Sequence, residues 1–507
     1  MAGGAQKDAS YGLTLPVSGQ NQNLDSPGSS VFDLPTQGVP DSNTPGNATS
    51  PGRHPSPRLE LGRIAGSHDA QNPSPSFVVI SGGTGGNAIC SAFTNASYVL
   101  PVSDDGGSSS EIIRVLGGPS IGDIRSRLIR LIPYAAPNSP LDAIRRLLAY
   151  RLPARCSERE AREEWREIVE GRNPLWIGIP NDRKETIRGF LVYFESELLK
   201  RAHKNFDFRN GSIGNYFLAA AQGFFRSLPS AIFLFSSITN SQANILPVIV
   251  TNHTVTIAAE LENGSRLVGQ CEISHPVAQN PAPVDITISE SDPYSPVDGM
   301  GECIAPPQNM MFEAASKAEY EALGSWISRL FYINAYGIEI HPSPNQEYLA
   351  ALASKDVGTS VRLNDSIIPC LALRGVAAGI ARSCSLRAKV LLCAPLVTLS
   401  YLNSKGRAVN SSNDRETDGY TAADYIQAMA RTLNGSYHTQ PYGLGYVNTT
   451  YPISAFVTHL VYLRGTKILV DEEHITSLGV KCTEIGGHAN SFDAEVVRQA
   501  INEIELG

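Results

Sequence analysis

A run of apolar residues that ends in glycines constrains this chain more than any other part of it. In Phe77-Val78-Val79-Ile80-Ser81-Gly82-Gly83-Thr84-Gly85-Gly86-Asn87-Ala88 a strand of the buried type stops, four glycines follow, and helix-forming sequence begins. Glycine lets the backbone turn sharply and approach a ligand closely, and the unpaired N–H groups of a following helix face negative charge. A phosphate is the natural guest. Gly82, Gly83, Thr84, Gly85 and Asn87 are the candidates to hold it, through backbone N–H groups and short polar side chains. The spacing fits neither the Gly-Lys-Ser/Thr ending of a Walker loop nor the dinucleotide fingerprint, whose third glycine is spaced away from the second. A tight strand-to-helix turn without a ligand is the alternative.

A second loop follows one strand later. Tyr98-Val99-Leu100-Pro101-Val102 reads as the strand and Ser103-Asp104-Asp105-Gly106-Gly107-Ser108-Ser109-Ser110 as the loop at its end. Adjacent carboxylates on a flexible turn suit a hard cation such as Mg²⁺ or a general base, whereas a plain hydrophilic turn has the same composition. Placed one strand after the glycine loop, the acids would lie at the carboxyl end of a neighbouring parallel strand. Open α/β sheets bind their ligands there.

A third segment, Gly117-Gly118-Pro119-Ser120-Ile121-Gly122-Asp123-Ile124-Arg125, leads into a helix with Leu128, Leu131 and Ile132 on one face. The three segments in this order resemble the CofD/YvcK family, with its Gly-Gly-Thr-Gly, Asp-Asp-Gly-Gly-Ser-Ser and Gly-Asp-(Ile/Leu)-Arg motifs. Gly214-Asn215-Tyr216-Phe217-Leu218-Ala219-Ala220, Ile245-Leu246-Pro247-Val248, Gly269-Gln270 and Glu416-Thr417-Asp418-Gly419-Tyr420-Thr421-Ala422-Ala423-Asp424 resemble further segments of it. The resemblance covers nearly everything after residue 76. It implies a doubly wound α/β fold, a mostly parallel sheet with helices on both faces and helical insertions, and a site in the crevice above the strands. CofD-type members transfer a phospholactyl group from a guanosine diphosphate carrier onto a deazaflavin precursor, using a divalent cation. YvcK-type members bind a UDP-sugar and act in metabolic and cell-wall regulation, and the Gly-Gly-Ser-Ser after the acid pair looks closer to that branch.

The expected function is therefore binding of a nucleoside-diphosphate-linked small molecule or UDP-sugar, nominally with transfer of a phosphorus-containing group. Gly82, Gly83, Thr84, Gly85, Asn87, Gly106, Gly107, Ser108 and Asn215 would bind the ligand. Asp104, Asp105 and Asp123 would hold Mg²⁺ or accept a proton, and Arg125 would neutralise charge on a phosphoryl oxygen. Each has a plainer role: a surface ion pair for Arg125, helix capping for Asn215. A non-catalytic nucleotide-sugar sensor would use the same residues. A dehydrogenase with Asp104 on a ribose ranks last, for want of the spaced glycine.

Composition bounds the rest. Residues 1–75 are rich in Ser, Pro, Gly, Asn and Asp and cannot bury enough apolar surface to offset the entropy of ordering, so a disordered tail is expected ahead of one domain over 76–507. Residues 140–205 turn charged and helical: Ile187, Phe190, Leu191, Phe194 and Leu198 form an amphipathic stripe, in a packed subdomain, a lid or an oligomer contact. The net charge of −8 (41 Lys and Arg against 49 Asp and Glu), without a basic run, disfavours nucleic acid. Eight scattered cysteines without a Cys-x-x-Cys pair, no signal-type apolar leader and no apolar run near the ~18 residues of a membrane span point to the cytoplasm.

Two stretches break the family pattern. At 356–365 the text Asp356-Val357-Gly358-Thr359-Ser360-Val361-Arg362-Leu363-Asn364-Asp365 replaces an apolar strand and a glycine-rich loop, and at 393–412 an insert of mixed character follows the strand-like Lys389-Val390-Leu391-Leu392. Good matches flank both. The reading is a missing strand and altered splicing, with a genuine loop insertion as the alternative.

Overall fold

The computed structural model describes residues 75–506 except 202–203, 275–322, 362–365, 394–400, 403–407, 410–414, 418, 436–449 and 487–491. The disordered-tail expectation therefore falls outside the described residues. So does most of the 393–412 insert, of which Cys393 and two short strands are described.

Thirteen strands are described. In chain order they are β1 (Phe77–Ile80), β2 (Ala96–Leu100), β3 (Asn244–Pro247), β4 (Val255–Leu261), β5 (Arg266–Val268), β6 (Ile327–Asn334), β7 (Glu339–Ile340), β8 (Val357–Val361), β9 (Ala388–Cys393), β10 (Tyr401–Leu402), β11 (Ala408–Val409), β12 (His459–Leu463) and β13 (Lys481–Ile485). Seven make one sheet in the order β13-β12-β9-β8-β1-β2-β3, and every pairing in it is parallel. Buried strands such as Phe77–Ile80 and Ala388–Cys393 suit a sheet covered on both faces. β4 to β7 form a separate antiparallel sheet, and β10 pairs with β11.

The helices are α1 (Thr84–Ile89), α2 (Gly107–Leu116), α3 (Gly122–Arg130), α4 (Pro140–Ala149), α5 (Glu158–Glu170), α6 (Asn181–Leu199), α7 (Ile213–Phe225), α8 (Leu228–Thr239), α9 (Gln270–Ser274), α10 (Gln346–Ser354), α11 (Ile368–Leu371), α12 (Val376–Ala381), α13 (Ala422–Gly435), α14 (Glu472–Ser477) and α15 (Ala494–Leu506). Local signals explain several of them. The Ser157 hydroxyl and the Glu160 carboxylate cap the start of α5 reciprocally, and Gly171 ends it at φ 80°. On α6 the residues Ile187, Leu191, Phe194 and Leu198 are buried, and Phe194 stacks on Tyr216 of α7 at 4.7 Å while Trp165 of α5 stacks on Phe208 at 5.2 Å. That aromatic core holds the start of α7 in place.

Strand order reverses at β1: β2 and β3 lie on one side of it and β8, β9, β12 and β13 on the other. This is the fold's switch point, and open α/β sheets bind their ligands in the crevice above the carboxyl ends of the strands at such a point.

The structure corrects the reading of 356–365. Val357–Val361 is not missing from the sheet; it is β8, the central strand, paired with β1 from Phe77↔Val357 to Ile80↔Ser360 and with β9 from Val357↔Ala388 to Val361↔Leu392. A strand rich in Gly, Thr and Ser serves here because its neighbours bring the apolar mass. Val78 and Val79 on one side and Leu391 and Leu392 on the other are all at most 1% exposed.

Candidate active site

The glycine loop is built differently from what its composition suggests. Gly82 and Gly83 follow β1, Thr84 opens α1, and Gly85 and Gly86 lie within that helix; none of these glycines has positive φ. Their absent side chains matter through close approach. A Cβ on Gly83 would sit 1.9 Å from Asp123 Oδ1, one on Gly86 2.2 Å from Arg127 Nη2, and one on Gly82 3.0 Å from the Ser366 Cβ. Gly85 alone of the four faces open space.

Behind the loop stands a residue that the motif reading missed. Arg127, fully buried on α3, donates from Nε to Asn87 Oδ1 (3.0 Å) and from Nη2 to Ser81 Oγ (2.9 Å) and the Gly82 carbonyl (3.1 Å). Its guanidinium lies 5.0 Å from the Tyr98 ring centre. Asn87 is thereby a structural tie, since its Nδ2 also donates to Ser126 Oγ at 2.7 Å. The signal was available: Ile124, Arg127 and Leu128 share one helical face, so Arg127 points inward with them.

Asp123, in the first turn of α3, faces the loop. Burial raises its carboxyl to about 6, while the positive charge of Arg127 and a hydrogen bond from the Gly83 amide pull the other way. The other two acids are engaged elsewhere. Asp105 Oδ1 accepts the Cys271 amide at 2.9 Å, and the loop can come so close only because Gly269 (φ 95°) has no side chain, a Cβ there lying 2.2 Å from Asp105 Oδ2. Burial raises this carboxyl too, against the hydrogen bonds from Cys271. Asp104 Oδ1 accepts the Gly106 amide at 3.0 Å.

The expected three-acid cation site is therefore not assembled: among the described residues no group of three or more His, Cys, Asp or Glu is placed to hold a metal ion. The physical reason is that Asp105 and Asp123 are already bound to backbone of different loops. The protein's own described residues do not close a cation site; one or two of these carboxylates would need the phosphate oxygens of a ligand to complete one.

Gly106 precedes α2 and Gly107 opens it at φ 56°, a conformation that favours glycine, so Ser108, Ser109 and Ser110 enter the buried first turn. Asn215 is not the cap of α7; Ser212 is, its hydroxyl accepting from the Asn215 amide. The Asn215 side chain instead links two other site residues, accepting from Arg125 Nε at 3.0 Å and donating to Ser108 Oγ at 2.8 Å. On the far side of the switch point, Gln270 Nε2 donates to Ser366 Oγ at 2.7 Å, while Gln270 Oε1 is a buried acceptor that meets no donor among the described residues. Neither residue is among the ligand-binding candidates that the sequence singles out.

The structure thus gathers the Gly82–Gly83 turn, the Asp104–Ser108 loop, Asp123, Asn87 and, through Asn215, Arg125 around one crevice. The chain is similar to known proteins over the same region. The family model described as 2-phospho-L-lactate transferase CofD matches residues 77–486. An uncharacterized protein of Saccharomyces cerevisiae, YNL011C, is 33% identical over 470 residues, covering 85% of this chain and 99% of that one. A crystal structure of a UPF0052 family member, BH3568 from Bacillus halodurans, has the same fold, with a TM-score of 0.51, 18% identity and coverage of 85% of this chain and 100% of that one. No helix among the described residues is long and apolar enough to cross a membrane. On the strength of the family match and the yeast relative, the chain belongs to the CofD family.

Proposed function

We propose that the crevice binds the diphosphate of a nucleoside-diphosphate-linked small molecule and that the protein transfers a phosphorus-containing group from it. The observation that carries this reading is the Gly82–Gly83 turn: it lies at the switch point of the sheet, Asp123 and Ser366 approach it so closely that a side chain has no room there, and Arg127 holds the Gly82 carbonyl. Gly82, Gly83, Thr84 and Gly85 would line the diphosphate end, with Asn87 held behind them by Arg127 and Ser126, and Gly106, Gly107 and Ser108 across from them. Asp123, its carboxyl shifted up toward neutrality, is the acid or base of the site, and Arg125 offsets charge on the phosphoryl oxygens.

A second reading, a non-catalytic sensor of UDP-sugars, draws support from the engagement of Asp105 by the Cys271 amide rather than by a shared acid cluster. Calorimetry with GDP and UDP-glucose, with and without Mg²⁺, tests both. Binding of either that weakens at least tenfold in Gly83→Ala supports the site. Dependence on Mg²⁺ that disappears in Asp104→Asn favours transfer, and binding indifferent to Mg²⁺ favours the sensor. Unaltered binding in Gly83→Ala places the ligand elsewhere.

A further inference from the structure

The helix α6 carries apolar residues on both of its faces. The stripe through Ile187, Leu191, Phe194 and Leu198 is buried within its own chain. On the opposite face Val192 and Leu199 are exposed, and the apolar surface continues onto α7 and α8 with Phe224, Phe225 and Phe233, which are 58%, 42% and 73% exposed. Contacts join these elements into one surface. Phe190 of α6 meets Phe224 at 5.6 Å and Phe225 at 5.8 Å between ring centres, and Tyr193 meets Phe224 at 5.7 Å. Arg183, seven residues before Phe190 and so on the same side of α6, donates to the carbonyl of Ser237, one turn after Phe233. At roughly 200 Å² per ring the three phenylalanines alone expose about 350 Å². An apolar patch of that size on a single chain marks a contact surface.

The outer face of α6 is complementary to a copy of itself. Gly189 lies near its centre with open space where a Cβ would sit, and Tyr193 stands one turn further along. Charge is divided between the ends: Asp182 and Glu185 open the helix with side chains well exposed, and Lys200, also exposed, follows its last turn. The point midway between Gly189 and Tyr193 is also midway between Asp182 and Lys200. A second α6 laid antiparallel about that point therefore makes several matches at once. Tyr193 enters the gap at the partner's Gly189, and Asp182 faces the partner's Lys200. The phenylalanines of α7 and α8, all to one side of α6, meet their own copies across the axis. A parallel arrangement would set like charges against each other.

We propose that the α6–α8 face is a homodimer interface, in which α6 packs antiparallel on the α6 of a second copy of this chain about a two-fold axis between Gly189 and Tyr193. A stable interface takes about 800 Å² from each partner. The three rings supply nearly half of it, and the outer face of the 19-residue α6 is available for the rest. The apolar surface supplies the association, while the exposed Asp182 and Lys200 contribute orientation more than affinity. The inference is independent of what the crevice binds.

Sedimentation velocity on the full chain over a concentration series tests this. Wild type is expected to dimerise as concentration rises, or to run as a dimer throughout. Gly189→Arg fills the central gap without burdening the fold, because the position is helical and open. Its dimer dissociation constant should rise at least tenfold, while the monomer keeps its far-ultraviolet circular dichroism. Asp182→Lys and Lys200→Asp should each weaken the dimer, and the double variant, with the charges exchanged, should recover most of the loss. A wild type that stays monomeric at every concentration gives the patch to a different partner and overturns the proposal. So does a dimer indifferent to Gly189→Arg. A double variant that dimerises no better than the single ones overturns the antiparallel register.

Discussion

Asp123 and Arg127 show how single side chains shape this crevice. The Asp123 carboxyl ionises in the folded protein only at about 6, because burial outweighs the help from Arg127 and the Gly83 amide. In an unfolded chain it ionises near ~4, so it favours the folded state below that pH and loses this contribution as pH climbs through about 6. Asp123→Asn removes the titration. Its melting temperature relative to wild type should therefore rise between pH 4 and about 6 and level off above, and a difference that stays flat over that window would refute the buried-acid assignment. Arg127→Met should cost about 3 kcal/mol or more by denaturant unfolding, since it strands Ser81 Oγ, Asn87 Oδ1 and the Gly82 carbonyl in a buried setting. A loss below about 1 kcal/mol would mean that the loop holds itself. Among the glycines, Gly83→Ala must displace Asp123, and its effect on ligand affinity should exceed that of Gly85→Ala, where the structure offers open space.

At the level of elements, β8 carries the lesson. Its sequence lacks the apolar run of a central parallel strand, yet it pairs on both sides. Its composition has a thermodynamic consequence. The Gly358 position has room, with Leu386 and Val78 atoms 3.6–3.9 Å from where a Cβ would sit and no positive φ, and Thr359 Oγ1 is buried without a hydrogen-bond partner among the described residues. Gly358→Ala should then stabilise the protein by about 0.5–1 kcal/mol through the unfolded state. Thr359→Val, nearly the same shape without the orphaned hydroxyl, should add about 1 kcal/mol. Loss of stability in both, read by chemical denaturation, would show that the strand's polar character is required where it stands. The helices give the opposite case: α6 was legible because the stripe through Ile187, Leu191, Phe194 and Leu198 is a local signal that tertiary packing reinforces.

For the whole molecule, the crevice joins the two halves of the sheet, β1 with β2 on one side and β8 on the other. A ligand that binds the folded state alone stabilises it by mass action, about 2.7 kcal/mol at a hundredfold excess over its Kd. Saturating GDP or UDP-glucose should raise the melting temperature accordingly. It should also slow amide exchange at both ends of the crevice, in residues 81–87 and 104–110 and again in 366–371. Protection confined to one side would contradict a ligand seated at the switch point.

By itself the sequence determined the parallel α/β architecture, the family, and the placement of the Gly82–Gly83 and Asp104–Ser108 loops, because a strand that ends in glycines and a helix that starts after them are signals within a dozen residues. Tertiary structure decided what those residues do. It made Gly83 and Gly86 indispensable for closeness rather than for turning, turned Asn215 from a cap into a bridge, sent Asp105 to the Cys271 amide and Asp123 to the Gly83 amide, and set Arg127 behind the loop. It also found a strand at Val357–Val361 that composition denies. The reason is common to all of these: they depend on contacts between residues tens to hundreds of positions apart, as with Gly82 and Ser366, and a linear pattern carries no record of which distant neighbour fills the space that a missing side chain leaves.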